Sequence, residues 1–270
     1  MNTEEIMKLA LDMAGFNHVP ADSEIYVKGE GIKKILFGVD IDSSDLYYAK
    51  ANGYDAVIAH HPQANIIDSY KVFEDQVAIM KKFGVPEEAA KKAIEEKIEM
   101  LRITAVSRNY DDTISVARML NMPFLNIHQP LDEIGRRLMQ EKVDEVCKNE
   151  NALVKDVVNA LSSFEEMKAA RTRVEVLVGD ENVRAGKTIV AHGAYTNGGY
   201  DVANTCFEYG IDTVVYIHIG YPDYVRLKKE NKGNLIISGH IAGDSVGINP
   251  FIDKLRERGV EVTTIKGIIG

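Results

Sequence analysis

The sequence predicts an α/β protein built as two similar lobes, each with a mostly parallel sheet flanked by helices. Three observations predict it. Short, wholly apolar runs alternate with stretches of helical periodicity, the pattern of parallel strands covered on both faces. One pattern occurs twice: a helix closed by glycine, an aspartate, a buried strand and a histidine, as NGYDAVIAH at 52–60 and YGIDTVVYIH at 209–218. Finally, 270 residues suffice for one large domain or two small ones.

The elements follow in order. Residues 1–16 (MNTEEIMKLALDMAGF) read as an amphipathic helix. Acids stand early and no basic start precedes an apolar core, so a leader is not expected. Residues 33–40 (KKILFGVD) read as a buried strand, 43–53 as a helix closed by Gly53, and 54–59 as a second strand running into His60 and His61. Helices are expected over 67–84 and 86–101, the second from strong helix formers at helical spacing. Residues 102–123 carry Asn109-Tyr110-Asp111-Asp112 and then an apolar helix at 114–120. A short strand is expected at 124–127 and helices at 134–149 and 153–169. Strands follow at 173–179, 188–191, 213–217, 234–238 and 260–265. Helices are expected at 200–210 and 251–259, the last capped by Asn249 with Pro250 in its first turn.

Composition removes several function classes. With 45% hydrophobic and 27% charged residues, most of the chain is globular rather than disordered. A net charge of -9 opposes general affinity for phosphate backbones or anionic membranes, and no basic stripe with stacking aromatics marks a nucleic-acid surface. One small nucleotide needs only a local pocket. No run approaches the roughly 18 apolar residues of a membrane span, so a cytoplasmic protein is expected. Cys147 and Cys206 are the only cysteines. They are expected to stay reduced, and two thiols exclude a thiolate-built structural zinc. Any metal must use histidine and carboxylate.

Of 7 histidines, His60, His192, His218 and His240 fall at or just after a strand end. Ligands bind at that end in open α/β sheets. His60-His61-Pro62 is sharper: adjacent side chains leaving a strand point apart, and proline stiffens the turn behind them. Two strand-end imidazoles favour metal binding over a plain polar loop. In Gly239-His240-Ile241-Ala242-Gly243-Asp244, His240 and Asp244 lie on one side of a helical turn, and the glycines give the backbone room. The alternative there is an Asp244 that only caps the turn. Asp111 is a loop aspartate whose alternative is simple solvation. Together these are three imidazoles and two carboxylates, too many for one four-coordinate zinc. They fit two divalent ions about 3.5–4 Å apart, of zinc, iron, manganese or cobalt.

The segments KILFGVD (34–40), YDAVIAHHP (54–62), NGGYDVANTCFEYGIDTVVYIHIG (197–220) and NLIISGHIAGD (234–244) resemble the Nif-three-like family, also known as dinuclear-metal or GTP cyclohydrolase type-two-like proteins. The resemblance runs in order through most of the chain, with a poorly aligned middle. It implies a two-metal site on His60, His61, Asp111, His240 and Asp244. It also implies a discontinuous metal-bearing lobe (1–130 and 232–270), a second lobe (131–231), and a ring-like homohexamer built from dimers. Two departures stand out. The family histidine shortly before Asn-x-Asp is replaced by Val106-Ser107-Arg108, and the family's final glutamate is Asp244. His128 or His192 would then compensate. A helical expansion around 85–105 also sets the chain apart.

Two functions follow as expectations. One is a metal-dependent hydrolase-like enzyme acting on a small nucleotide-like or phosphorylated substrate. His192 or His218 would be its general acid, and the 194–199 turn (AYTNGG) would offer N–H groups to a phosphate, unless it is a plain turn. The other is a metal-carrier or protein-interaction protein without turnover.

Overall fold

The computed structural model describes residues 1–63 and 66–270, the side chains of 66 and 67 excepted. The chain forms two compact units. Unit 1 comprises Met1–Val72, Leu101–Ile134 and Gly247–Ile268; unit 2 comprises Phe73–Met100, Gly135–Val246 and Ile269–Gly270.

Unit 1 holds a five-stranded sheet. Its strands are β1 (Glu24–Val27), β2 (Lys34–Gly38), β3 (Ala56–Ala59), β4 (Phe124–Asn126) and β9 (Glu261–Ile265), in the order β1-β4-β3-β2-β9. All neighbours pair in parallel except β1, which runs antiparallel to β4. Alternation sends successive side chains to opposite faces. Leu36, Val57, Ala59 and Phe124 therefore pack against Leu46 and Ala49 of α2 (Ser43–Ala51) and Ile114 and Ala117 of α6 (Asp112–Leu120). Phe37, next to Leu36, instead meets Phe251 edge-on, with ring centroids 6.3 Å apart. Helix α1 (Thr3–Ala14) starts at a capping box of Asn2 and Glu5, and α2 at one of Asp42 and Asp45. Lys266, just past β9, binds both Asp42 and Asp45.

Unit 2 holds a four-stranded sheet of β5 (Glu175–Val178), β6 (Thr188–Val190), β7 (Thr213–Tyr216) and β8 (Asn234–Ile237), in the order β5-β8-β7-β6. Here β6, β7 and β8 are parallel and β5 is antiparallel. Val190, Val215 and Ile236 share a core with Met139 and Val143 of α7 (Gln129–Cys147) and with Val154, Val157 and Leu161 of α8 (Val154–Leu161).

The repeated sequence pattern has a physical counterpart. Gly53 and Gly210 sit at φ 69° and 79°, the left-handed conformation that closes a helix. Two residues later, Asp55 Oδ2 accepts from the amides of Lys33 and Lys34 at 2.9 and 2.8 Å, and Asp212 Oδ2 accepts from that of Lys187 at 2.8 Å. Each aspartate thus pins the start of the neighbouring strand.

The α/β class and the mostly parallel sheets agree with the sequence reading, and several elements differ. The helix expected over 67–84 is α3 (Ile66–Ser69), a tight 3₁₀ turn (Tyr70–Glu74) and α4 (Asp75–Lys82); residues 64 and 65, just before it, lie outside the described residues. The tighter turn lets the adjacent Val72 and Phe73 both be buried. The helix expected over 86–101 is α5 (Glu87–Ala105). The helix expected over 153–169 breaks between α8 and α9 (Glu165–Ala169), where the Ser163 hydroxyl donates to Ala160 O and Phe164 is extended. The 251–259 helix belongs to a longer α12 (His240–Glu257) that carries Pro250 inside it. Proline removes one helical bond; burial of Ile248, Phe251, Ile252 and Leu255 along the continuing helix outweighs that loss. Helix α10 (Gly199–Glu208) was expected, whereas α11 (Tyr221–Glu230) and β1 were not. Among the described residues no helix is long and apolar enough to cross a membrane.

Candidate metal centre

In unit 1 the parallel strands β2, β3 and β4 end at one edge of the sheet, and the antiparallel β1 begins there. That edge collects Asp40, His60, His61, His128, Asp22 and Ser23. The His60 and His61 amides bond to Gly38 O and Val39 O at 2.9 Å each, so β2 fixes the tandem imidazoles at their root. Ile127 N bonds to Ala59 O, which brings His128 alongside. Ring centroids of His60 and His61 are 5.3 Å apart, those of His60 and His128 4.8 Å, and those of His61 and His128 5.6 Å. Ligand atoms of all three lie within 4.8 Å of one another.

The Nδ1 side of each ring is engaged. His60 Nδ1 meets Ile127 O at 3.0 Å, His61 Nδ1 meets Asp40 Oδ1 at 2.7 Å, and His128 Nδ1 meets Asp22 Oδ2 at 2.7 Å. Each partner is an acceptor, so Nδ1 carries the proton and the neutral ring keeps its lone pair on Nε2. For His60 and His128 that lone pair then faces another acceptor. His60 Nε2 lies 3.2 Å from Asp132 Oδ1, and His128 Nε2 lies 3.6 Å from Asp132 Oδ2. A proton or a bound cation between them would satisfy both sides. Two buried imidazoliums sharing one carboxylate would place like charges against each other, whereas one dication satisfies all three groups. Three nitrogens and one carboxylate form a donor set for zinc, iron, manganese or cobalt. The residues therefore fit a divalent metal.

Asp132 stands in the first turn of α7. The sequence places this helix at 134–149, past Pro130. Proline is tolerated in a first turn, and the helix starts at Gln129. His128 and Asp132 repeat the spacing of His240 and Asp244, each pair just past a strand, so the signal was present in the sequence. Asp111 is in none of the groups of close histidine and carboxylate ligand atoms among the described residues. It precedes α6, half-exposed, and its carboxylate accepts from Arg118 Nη1 at 2.8 Å.

Asn126, the last residue of β4, knits this edge together. Its Nδ2 donates to Asp22 O at 2.7 Å and to His60 O at 3.4 Å, and its Oδ1 accepts from Glu24 N at 3.1 Å and from the Tyr26 hydroxyl. Asn126→Leu strands these buried groups and is expected to destabilise the protein by about 3 kcal/mol, read as a lower denaturation midpoint at unchanged slope.

In unit 2, His192, His218 and His240 follow β6, β7 and β8, the same edge of that sheet. His240 opens α12, and its Nε2 lies 3.3 Å from the buried Asp244 Oδ2 one turn on. The His218 and His240 ring centroids are 4.6 Å apart. Asn197 Oδ1 accepts from Gly199 N, which turns its Nδ2 toward His218 Nδ1 at 3.1 Å. His218 Nδ1 is thus the acceptor and Nε2 carries the proton. Burial first, and then the His240 ring, lower the His218 pKa to about 4. His192 is buried. The loop after it holds Gly193, Ala194 and Tyr195 all at positive φ, a conformation costly for the last two.

Both cysteines carry free thiols. Burial pushes Cys206 up to about 12 and also raises Cys147. A raised pKa keeps the thiol protonated below that value, and only the thiolate reacts. At pH 8 a disulfide reagent is expected to label Cys147 slowly and Cys206 only after denaturation; rapid labelling of both in the native state would contradict this.

Comparison with known proteins now places the chain. Residues 25–268 match the Duf34/NIF3 (NGG1p interacting factor 3) family. The chain belongs to this family. This NIF3-family chain is 44% identical to a NIF3 superfamily protein from Sphaerobacter thermophilus, with a TM-score of 0.97 over 99% of this chain and 98% of that one. Reduced HcgD from Methanocaldococcus jannaschii shares its fold at 15% identity, with a TM-score of 0.59 over 98% and 97% of the two chains. TTHA1606 from Thermus thermophilus does so at 12% identity, with a TM-score of 0.55 over the whole of both chains. No curated protein matches this NIF3-family chain.

Proposed function

We propose that the protein holds two divalent metal ions and acts as a metal-dependent hydrolase on a small phosphorylated or nucleotide-like substrate. The observation that carries the metal reading is the confrontation of the His60 and His128 lone pairs with the Asp132 carboxylate. In this reading His60, His61, His128 and Asp132 are donors in unit 1, and His240 and Asp244 are donors in unit 2. Divalent ions supply, when bound, a water acidified toward neutral pH. The protein's own part is positioning. Asp40, Asp22 and Ile127 O hold the imidazoles with Nε2 outward. His218, oriented by Asn197, presents an N–H to a developing negative charge, and His192 remains the second candidate for that role. Cytoplasmic residence and a homohexameric assembly belong to the same proposal, and light scattering checks the assembly.

Purified protein loaded with manganese, iron or zinc is to be assayed for phosphoester hydrolysis and for GTP ring opening. Turnover that His61→Ala abolishes without loss of secondary structure supports the enzyme. Metal-loaded protein inert on both substrate classes, yet passing its metal to an acceptor, overturns hydrolysis in favour of carriage.

A further inference from the structure

Behind the imidazoles of unit 1 stand two carboxylates, and their surroundings differ. The Asp22 side chain is fully buried at 0% exposure, whereas Asp40 is 70% exposed. Water competes with Asp40 for His61 and screens its charge. At Asp22 no such competition operates.

Asp22 is also held from several sides. The β1–β4 register opposes Glu24 to Asn126, which brings Ser23 and Asp22 beside His128. Ser23 Oγ accepts from His128 N at 3.0 Å and donates to Asp22 Oδ1 at 3.3 Å. Asp22 O accepts from Asn126, and Asp22 Oδ2 accepts from His128 Nδ1. The loop therefore fixes the main chain and the ring of His128 together.

We propose that Asp22 is a positioning residue for a divalent cation at His128: its buried carboxylate locks the ring with the proton on Nδ1 and the lone pair on Nε2, toward Asp132. This rests on the metal reading above. A carboxylate behind a ligating imidazole fixes ring and tautomer and strengthens the nitrogen as a donor. A purely structural role would be served by Asp22 O, which an amide side chain leaves intact. Asp22→Asn isolates the carboxylate. If the new amide turns its N–H₂ to the ring, His128 must accept on Nδ1 and place its proton on Nε2, which then cannot ligate.

The test is cobalt(II) titration of the full-length chain, followed by chelator competition and by the visible d–d absorption band, in the wild type, Asp22→Asn and Asp40→Asn. Asp22→Asn is expected to bind about 10–100-fold more weakly and to shift the band at saturation. Asp40→Asn, whose carboxylate is exposed and screened by water, is expected to weaken binding less than Asp22→Asn does. Equal affinity and an unchanged band in a folded Asp22→Asn overturn the positioning role and leave the metal reading standing. A wild type that binds no cobalt overturns both. Should Asp22→Asn fail to fold, Ser23→Ala carries the test: a weakened, shifted complex supports the role, and an unchanged one overturns it.

Discussion

Asp132→Ala is expected to lower divalent-metal affinity by at least about 100-fold, beyond the usual effect of removing a group that merely supports a ligand. The carboxylate lies against two imidazoles at once, 3.2 Å from His60 Nε2 and 3.6 Å from His128 Nε2. Taking it away removes the only negative charge among the four proposed donors of unit 1. The readout is thermal. A ligand present at 100 times its Kd stabilises the native state by about 2.7 kcal/mol. For a chain of this length that corresponds to a Tm rise of about 5–10 °C. Metal should produce such a rise in the wild type and none in Asp132→Ala. Asp111→Ala serves as the comparison, since Arg118 is the partner of that carboxylate; its metal-dependent rise should match the wild type's. A loss of the rise in Asp111→Ala with its retention in Asp132→Ala would reverse the two assignments.

Phe251→Ala is expected to be the most destabilising single truncation in unit 1, at about 3–5 kcal/mol. The side chain is fully buried and meets Phe37 edge-on, with ring planes at 86°. Such a contact adds about 1 kcal/mol to the burial itself. Phe37 belongs to β2, whose neighbour β3 delivers His60 and His61, so the truncation removes packing beneath the strands that carry the site. The measurement is denaturant unfolding of the metal-free chain. A fall below about 1 kcal/mol would mean that the cavity collapses, or that α12 contributes little to this core.

The reasons some of this was legible in the sequence, and some was not, are physical. Strands β2, β3, β7 and β8 are apolar along their length because both faces are covered, and that needs no tertiary knowledge. The strand-end positions of His60, His61, His218 and His240 are readable because a strand end is a local feature. Strand β1, only half-buried along its length and reading Glu-Ile-Tyr-Val, shows no such run, since an edge strand is only partly covered. Asp132 lies before the helix start the sequence suggests, although the spacing His128-x-x-x-Asp132 is readable in the same way as that of His240 and Asp244. Asp22 and Asn126 lie about a hundred positions from the groups they hold, separated by 106 residues from His128 and by 104 from Asp22 respectively. No local pattern marks such partners; only the β1–β4 register brings them together. The continuous α12 was missed because burial, which a sequence window does not weigh against one lost hydrogen bond, carries the helix through Pro250.

The most direct test is a crystal structure of the metal-loaded chain with data collected at the absorption edge of the metal. The account predicts an anomalous peak about 2.0–2.2 Å from Nε2 of His60, Nε2 of His128 and an oxygen of Asp132. A map with no peak near these atoms, from protein shown to contain stoichiometric metal, would contradict it.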